Sequence, residues 1–415
     1  MERHADDPLD DPRVRQRVDV LSHVRDGTID LDQAATVLRL SSRQVRRLLA
    51  TWLEHGPAGL VHGNRGRPPV NRTDSALRAR IIELATETYA GANRAHLAEL
   101  LEERERITIP ERTLRRLLDA AGEPSPRPHR ASRHRRRRER AEREGQLLQV
   151  DGSKHRWFGE ERPFATLVGA IDDATSRVTG ATFRAEEDGA GYLATLTRTA
   201  DRYGLPWLLY SDRHGIFHRD RRRPPTLTEQ LTGQRSLTQV GRALEVAGIG
   251  WLPASSPEAK GRVERLWGTL QDRLVLELRL EGITTIEEAN LFLPGYLDRH
   301  DARFSVPAAD PEPAWRPWPD GLSAEAVFAF WYERTVTRDN TLAWGQDALA
   351  VPRRADGRTR AGQRTTLAER LDGSLWAELD GRWEPLAAAP PSAPVLRARA
   401  GARAPACGCP CRPRR

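Results

Sequence analysis

The sequence predicts a multidomain chain with two small all-helical units in tandem, a central α/β block and a small C-terminal β-barrel. Three observations predict it. Apolar residues recur at helical spacing over 16–62 and again over 74–122. From residue 145, short apolar runs alternate with one-faced helical segments, and residues 326–388 carry short alternating runs punctuated by Asp-Asn and Asp-Gly turns. At 415 residues several domains are expected, because single cores rarely grow past roughly 250–300 residues.

In the first unit, Val18, Leu21 and Val24, then Leu31, Ala34, Ala35, Val37 and Leu38, then Val45, Leu48, Leu49 and Leu53 set out three short helices. Ser41 or Ser42 caps the third, whose other face carries Arg43, Arg46 and Arg47. A supporting helix, a tight turn and a helix with a basic face make the helix-turn-helix pattern, in which the last helix enters a major groove. A solvated basic helix on any small bundle would read the same way. Residues 62–71, HGNRGRPPVN, read as a linker whose Arg-Gly-Arg resembles a minor-groove arm. The second unit, 74–122, repeats the theme. Its last segment, IPERTLRRLLDAAG, has Pro110 at its start and Gly122 just past its end, and sets Arg112, Arg115 and Arg116 opposite Leu114, Leu117 and Leu118. Two such units favour double-stranded DNA as the partner, since a long specific site needs more than one groove contact.

Charge placement agrees. Lys+Arg number 66 against 58 Asp+Glu, a net +8 that fits a polyanionic partner. Residues 124–144 are a basic linker holding nine Arg and two Glu between 127 and 143, which can lie along phosphates, although such runs are more often solvated tails. The mean hydropathy is −0.63 and no stretch approaches the roughly 20 apolar residues of a membrane span. The start, MERHADDPLDDPR, lacks an apolar signal segment, so a cytoplasmic protein without a membrane partner is expected. Cys407, Cys409 and Cys411 all lie in the Ala/Pro/Arg-rich tail 389–415, which its composition predicts to be disordered, so no disulfide staples the body.

The block 145–304 reads as strands in QLLQVDGS, FATLVGAIDDATS and RVTGATFRA, a helix, a strand in PWLLYSDRHGIF, a helix, a strand in IGWLPASS and a long helix from PEAKGRVERLWG. Asp151 ends the first strand, Asp212 ends the fourth, and Glu264 lies one to two turns into the long helix. Adjacent parallel strands bring their C-terminal carboxylates close, and a helix across that edge can add a third. Oxygen-only ligands suit Mg²⁺ or Mn²⁺, and two such ions about 3.5–4 Å apart serve in-line phosphoryl displacement. A lone Asp at a strand end is more often a turn residue; three in this order point to a site. The only lysines flank these acids: Lys154 three residues after Asp151, and Lys260 four before Glu264 on its helix face, where compact charges can meet phosphates. His214 can position substrate or close its turn, and Asp172 and Asp173 read as turn acids between the second and third strands.

QVDGS at 149–153, SDRHGIF at 211–217 and SPEAKGRVERLWGTLQDRL at 256–274 resemble the three acidic motifs of DDE transposases and retroviral-type integrases. The longer run from LYSDRHGIF through LTQVGRALEVAGI and GITTIEEANLFL to HDARFSVP is similar to insertion-sequence transposases of the ISNCY group. The resemblance implies an RNase H-like catalytic core that, with divalent metal, cleaves the element's DNA ends and joins the freed 3′-hydroxyl to target DNA. It also implies a homo-oligomer that pairs two ends, a bacterial nucleoid-associated setting, and Asp151, Asp212 and Glu264 as the metal-binding triad. A catalytically silent DNA-binding regulator and a nuclease with the same core are the competing readings. One departure stands out: 51 residues separate Asp212 from Glu264, more than in the retroviral-type pattern, and the excess falls on RDRRRPPTLTEQLTGQRS, too polar to enter a core and so expected to be a surface insertion.

Overall fold

The computed structural model describes residues 8–62, 73–126, 138–218, 224, 226–232, 236–254 and 261–390. The chain forms two compact units, Met1–Ile81 and Ile82–Arg415.

In the first unit, α1 (Pro12–Arg25), α2 (Leu31–Leu38) and α3 (Ser42–His55) enclose Val14, Leu21, Ala34, Val45 and Leu60. The turn before α3 holds Arg39 in the left-handed region at φ 54°. Ser41 is the cap: its hydroxyl accepts from the Gln44 amide while the Gln44 side chain accepts from the Ser41 amide, so two orphan donors of the helix end are satisfied reciprocally. Arg43, Arg46 and Arg47 are exposed on this helix. The Arg-Gly-Arg linker lies outside the described residues.

Helix α4 (Ser75–Thr86) runs across the boundary between the units. In the second unit, α5 (Arg94–Glu105) and α6 (Glu111–Ala120) bury Leu97, Leu100, Leu101, Leu114, Leu117 and Leu118. Pro110 occupies the position before α6, and Gly122, at φ 83°, follows its end. Arg112, Arg115 and Arg116 are exposed.

The core is a five-stranded mixed sheet. β1 (Leu147–His155), β2 (Ala165–Asp172) and β3 (Val178–Arg184) form an antiparallel meander. The chain then crosses through α7 (Gly189–Tyr203) to β4 (Leu208–Ser211), which pairs parallel with β1. After α8 (Leu227–Thr232) and α9 (Gln239–Val246), β5 (Gly250–Pro253) pairs parallel with β4, completing the order β3-β2-β1-β4-β5. Strand alternation divides the core. Leu148, Val150, Val168 and Ala170 face α7 and α9, whereas Leu167 and Phe183 face the other side, where α10 (Gly261–Leu280) and α11 (Ile286–Phe304) pack. The polar excursion after β4 carries α8, whose Glu229 accepts from the Thr226 and Ser236 amides and from the Ser236 hydroxyl.

The second helical unit is locked to this core. Arg273 of α10 donates to both carboxylate oxygens of Glu99 at 2.6 and 3.0 Å, and Glu277 receives His96 Nε2 at 3.1 Å and Arg104 at 3.4 Å. Of the basic linker, residues 127–137 lie outside the described residues. Arg138 and Arg140 are spent on the β2–β3 turn, reaching Asp173 and the Ala174 carbonyl, and Arg143 bonds the Glu312 carbonyl at 2.7 Å.

The C-terminal region departs from the expected barrel. After α12 (Ala324–Val327), strands β6 (Phe330–Thr335), β7 (Thr341–Trp344), β8 (Asp347–Ala350), β9 (Arg364–Glu369), β10 (Leu375–Leu379), β11 (Arg382–Pro385) and β12 (Ala387–Ala388) form two sheets, β11-β10-β9-β6 and β12-β8-β7. Among the described residues no ladder joins them, so no barrel closes. The strands are too short to wrap around, and the sheets instead share a core of Val336, Leu342, Leu349, Val351, Leu367 and Leu379. The β10–β11 hairpin follows its sequence, with Asp380 and Gly381 both at positive φ in a two-residue turn. The cysteine-bearing tail from 391 lies outside the described residues. Among the described residues no helix is long and apolar enough to cross a membrane.

Candidate active site

The parallel pairing of β1 with β4 sets Gln149 opposite Tyr210. Two residues further along each segment stand Asp151, within β1, and Asp212, which directly follows the last residue of β4. Because Leu148 and Val150 face α7, alternation puts Asp151 on the opposite face, the one α10 covers. Asp151 is held from that helix: the Trp267 indole Nε1–H donates to its Oδ2 at 3.1 Å. Asp212 opens a turn in which its Oδ1 accepts from the His214 amide at 3.1 Å, and His214 Nδ1 accepts from Ile216 N at 3.4 Å, so His214 closes the loop.

Aromatic rings support that turn. Tyr192 of α7 meets Phe217 edge-on at 4.7 Å, Phe217 and His218 stack on Trp251, and the Trp251 Nε1–H donates to Ser211 at 2.8 Å. Burial, chiefly, and then the Glu187, Asp151 and Asp212 carboxylates hold the Tyr192 phenol far above its usual range. Glu187 also accepts from the Tyr192 hydroxyl at 2.6 Å and lies over Gly152, where an added Cβ would come within 2.7 Å of its carboxyl carbon.

Glu264 stands exposed in the first turn of α10, three residues before Trp267. The start of α10 is pinned by Arg262, which donates to the fully buried Asp173 at 2.6 Å; Asp173 also receives Gln149 Nε2 at 2.6 Å and the Ala141 amide at 2.7 Å. Asp172, buried beside it, accepts from the Gly145 amide and from Thr175, and burial pushes its pKa up. Among the described residues no three His, Cys, Asp or Glu side chains gather closely enough to hold a metal ion. Asp151, Asp212 and Glu264 thus do not form such a group among the described residues. The chemistry of the two aspartates nonetheless suits a hard divalent cation, since they offer oxygen donors only.

Lys154 is not beside the acids. Three residues from Asp151 on a strand means the opposite face, and its ammonium lies instead over the Phe164 ring at 5.6 Å. Lys260 lies outside the described residues. Trp267, Gly169 and Glu187 carry no motif of their own, and the sequence reading passes over them.

Residues 16–69 match the model of a helix-turn-helix domain, and residues 44–118 that of a homeodomain-like domain. A Sinorhizobium fredii protein named as a transposase is 36% identical over 345 residues, covering 80% of this chain and 74% of its own. The transposase for an insertion sequence of Streptococcus pneumoniae is 32% identical over 319 residues, covering 69% of this chain and 67% of its own. The chain belongs to the insertion-sequence transposases. A solved simian T-cell lymphotropic virus intasome, in complex with the PP2A regulatory subunit B56 gamma, is 14% identical with a TM-score of 0.30 over 75% of this chain and 99% of that chain. Family membership implies a polynucleotidyl transferase-type enzyme, and together with the helix-turn-helix domains it indicates that this transposase binds DNA.

Proposed function

We propose that this transposase binds the terminal inverted repeats of its element through its helix-turn-helix domains, cleaves the 3′ ends and transfers them to target DNA. The reading places the chemistry at the Asp151–Asp212 edge of an RNase H-like core of the DDE type, within the ISNCY group. One observation supports it: β1, which bears Asp151, pairs parallel with β4, which runs directly into Asp212, and Asp151 accepts a hydrogen bond from Trp267 of the Glu264-bearing helix.

Asp151 and Asp212 would hold Mg²⁺ or Mn²⁺, with Glu264 as the third carboxylate. When bound, two such ions neutralise charge on the attacking and leaving oxygens of an in-line displacement. The chain's own contribution is orientation. Trp267 fixes the plane of the Asp151 carboxylate, the His214 amide fixes that of Asp212, and the Arg262–Asp173 pair sets where α10 begins. Tyr192, its phenol held protonated, stays neutral beside the acids and takes no part as a base. The exposed arginines of α3 and α6 contact DNA, and two protomers pair the two ends.

The test is incubation with Mn²⁺ or Mg²⁺ and labelled DNA carrying the repeats of the element, alongside Glu264→Gln. Joined products that disappear in the variant support the proposal. Nicks without joining would replace it with a nuclease, and tight binding without either product with a silent regulator.

A further inference from the structure

Asp151 and Gly169 are direct partners across the β1–β2 ladder. Gly169 stands inside a strand buried along its whole length, where glycine forfeits packing. Its reason lies above it. A Cβ at residue 169 would stand 2.8 Å from Cη2 of Trp267, so the indole occupies the space a side chain would fill. Trp267 is only 7% exposed and sits in the cluster with Val263, Leu266 and Leu270, which leaves its ring one position. From there the Nε1–H reaches Asp151 Oδ2 at 3.1 Å. The missing side chain on β2, the ring on α10 and the carboxylate on β1 form one chain of contacts.

We propose that Trp267 is the positioning residue for Asp151, and that Gly169 is the gap that seats it. The inference rests on the functional reading above, in which Asp151 binds metal. A tryptophan N–H donates only, so it can orient the carboxylate without competing for the cation. Outer groups that orient a ligand typically alter metal affinity by about 10–100-fold when removed. The same contact ties the helix bearing Glu264 to the strand bearing Asp151, so the spacing of the two acids depends on it.

The experiment measures Mn²⁺ binding to the full chain, by the loss of the free-ion resonance on titration, for wild type, Trp267→Phe, Gly169→Ala, Leu270→Ala and Asp151→Asn, with thermal unfolding of each. Trp267→Phe keeps a ring but loses the donor, and Gly169→Ala keeps the donor but displaces it. Both are expected to weaken binding by about tenfold or more. Leu270→Ala, in the same cluster without contact to Asp151, is expected to lower stability and leave the affinity of the folded protein unchanged. Wild-type affinity in Trp267→Phe overturns the proposal, as does an equal loss in Leu270→Ala, which would trace the effect to core packing. Should Trp267→Phe not fold, Gly169→Ala decides by the same criterion. Unchanged affinity in Asp151→Asn is a separate failure, that of the metal-site reading itself.

Discussion

The guanidinium of Arg273 grips both carboxylate oxygens of Glu99, at 2.6 and 3.0 Å, with each side chain less than 15% exposed. The pair joins the second helical unit to the helix that carries Glu264. Glu99 also pairs with the half-exposed Arg303, so it is removal of Glu99 that strands the buried Arg273 charge where water is scarce, at a cost of about 3–5 kcal/mol. Glu99→Ala should therefore lower unfolding free energy by about that much, and Glu99→Leu with Arg273→Met should recover most of it. Denaturant titration checks both; a loss under about 1 kcal/mol in the single variant would show that the pair is not holding the interface.

The same interface should loosen in acid. Burial tends to raise the Glu277 carboxyl, but His96, Arg299 and Arg104 outweigh it and hold the pKa below the ordinary 4.5. A lowered carboxylate pKa contributes stability above the unfolded value and loses it as pH falls through the folded one. Glu277→Gln should be less stable than wild type at pH 7, and the gap should shrink as pH drops below 4.5. Chemical unfolding from pH 3 to pH 7 measures it, and a gap that widens in acid would reverse the assignment.

Gly145 precedes β1 at φ 82°, and a Cβ there would meet the Trp315 ring at 2.5 Å. Its amide donates to Asp172 and its carbonyl accepts from Trp207, so the position anchors the strand that carries Asp151, which runs on to His155 rather than ending at the aspartate as its sequence suggests. Gly145→Ala adds left-handed strain of about 1–2 kcal/mol to the clash, and should cost about 3 kcal/mol in all. A thermal unfolding midpoint unchanged from wild type would contradict this.

Much of the fold was readable from residue pattern, and what was not depended on distant pairing. The Ser-x-x-Gln cap of α3 and the Asp-Gly hairpin of β10–β11 are local, and the structure realises both. Barrel closure was not local: it rests on which short strand pairs with which, and composition does not encode that. The side of the sheet that Lys154 takes follows from strand alternation, which sets a residue three positions from Asp151 on the opposite face. Arg273 and Glu99 are 174 residues apart, so their pairing leaves no trace in a single sequence. Gly169 sits in an apolar run where nothing marks it as the seat of a ring on another element.

Arg46 and Arg115 are exposed on the basic faces of α3 and α6, Arg115 paired with Glu111 at 2.8 Å on its own helix. Exposed pairs of this kind are worth little, so the guanidinium can turn to DNA at small cost. Arg46→Ala and Arg115→Ala should each weaken binding to the terminal repeats by about 1–3 kcal/mol if the side chain reads a base. Fluorescence anisotropy against specific and scrambled duplexes checks this; equal loss on both duplexes would assign the arginine to phosphate instead.

The most direct test of the central claim replaces the divalent ion with Fe²⁺ and uses ascorbate and peroxide to cut the protein backbone beside wherever the ion sits. Cuts are expected near residues 151 and 212, and are expected to vanish in Asp151→Asn with Asp212→Asn. Cuts confined to other segments, or the same cuts surviving in the double variant, would contradict it.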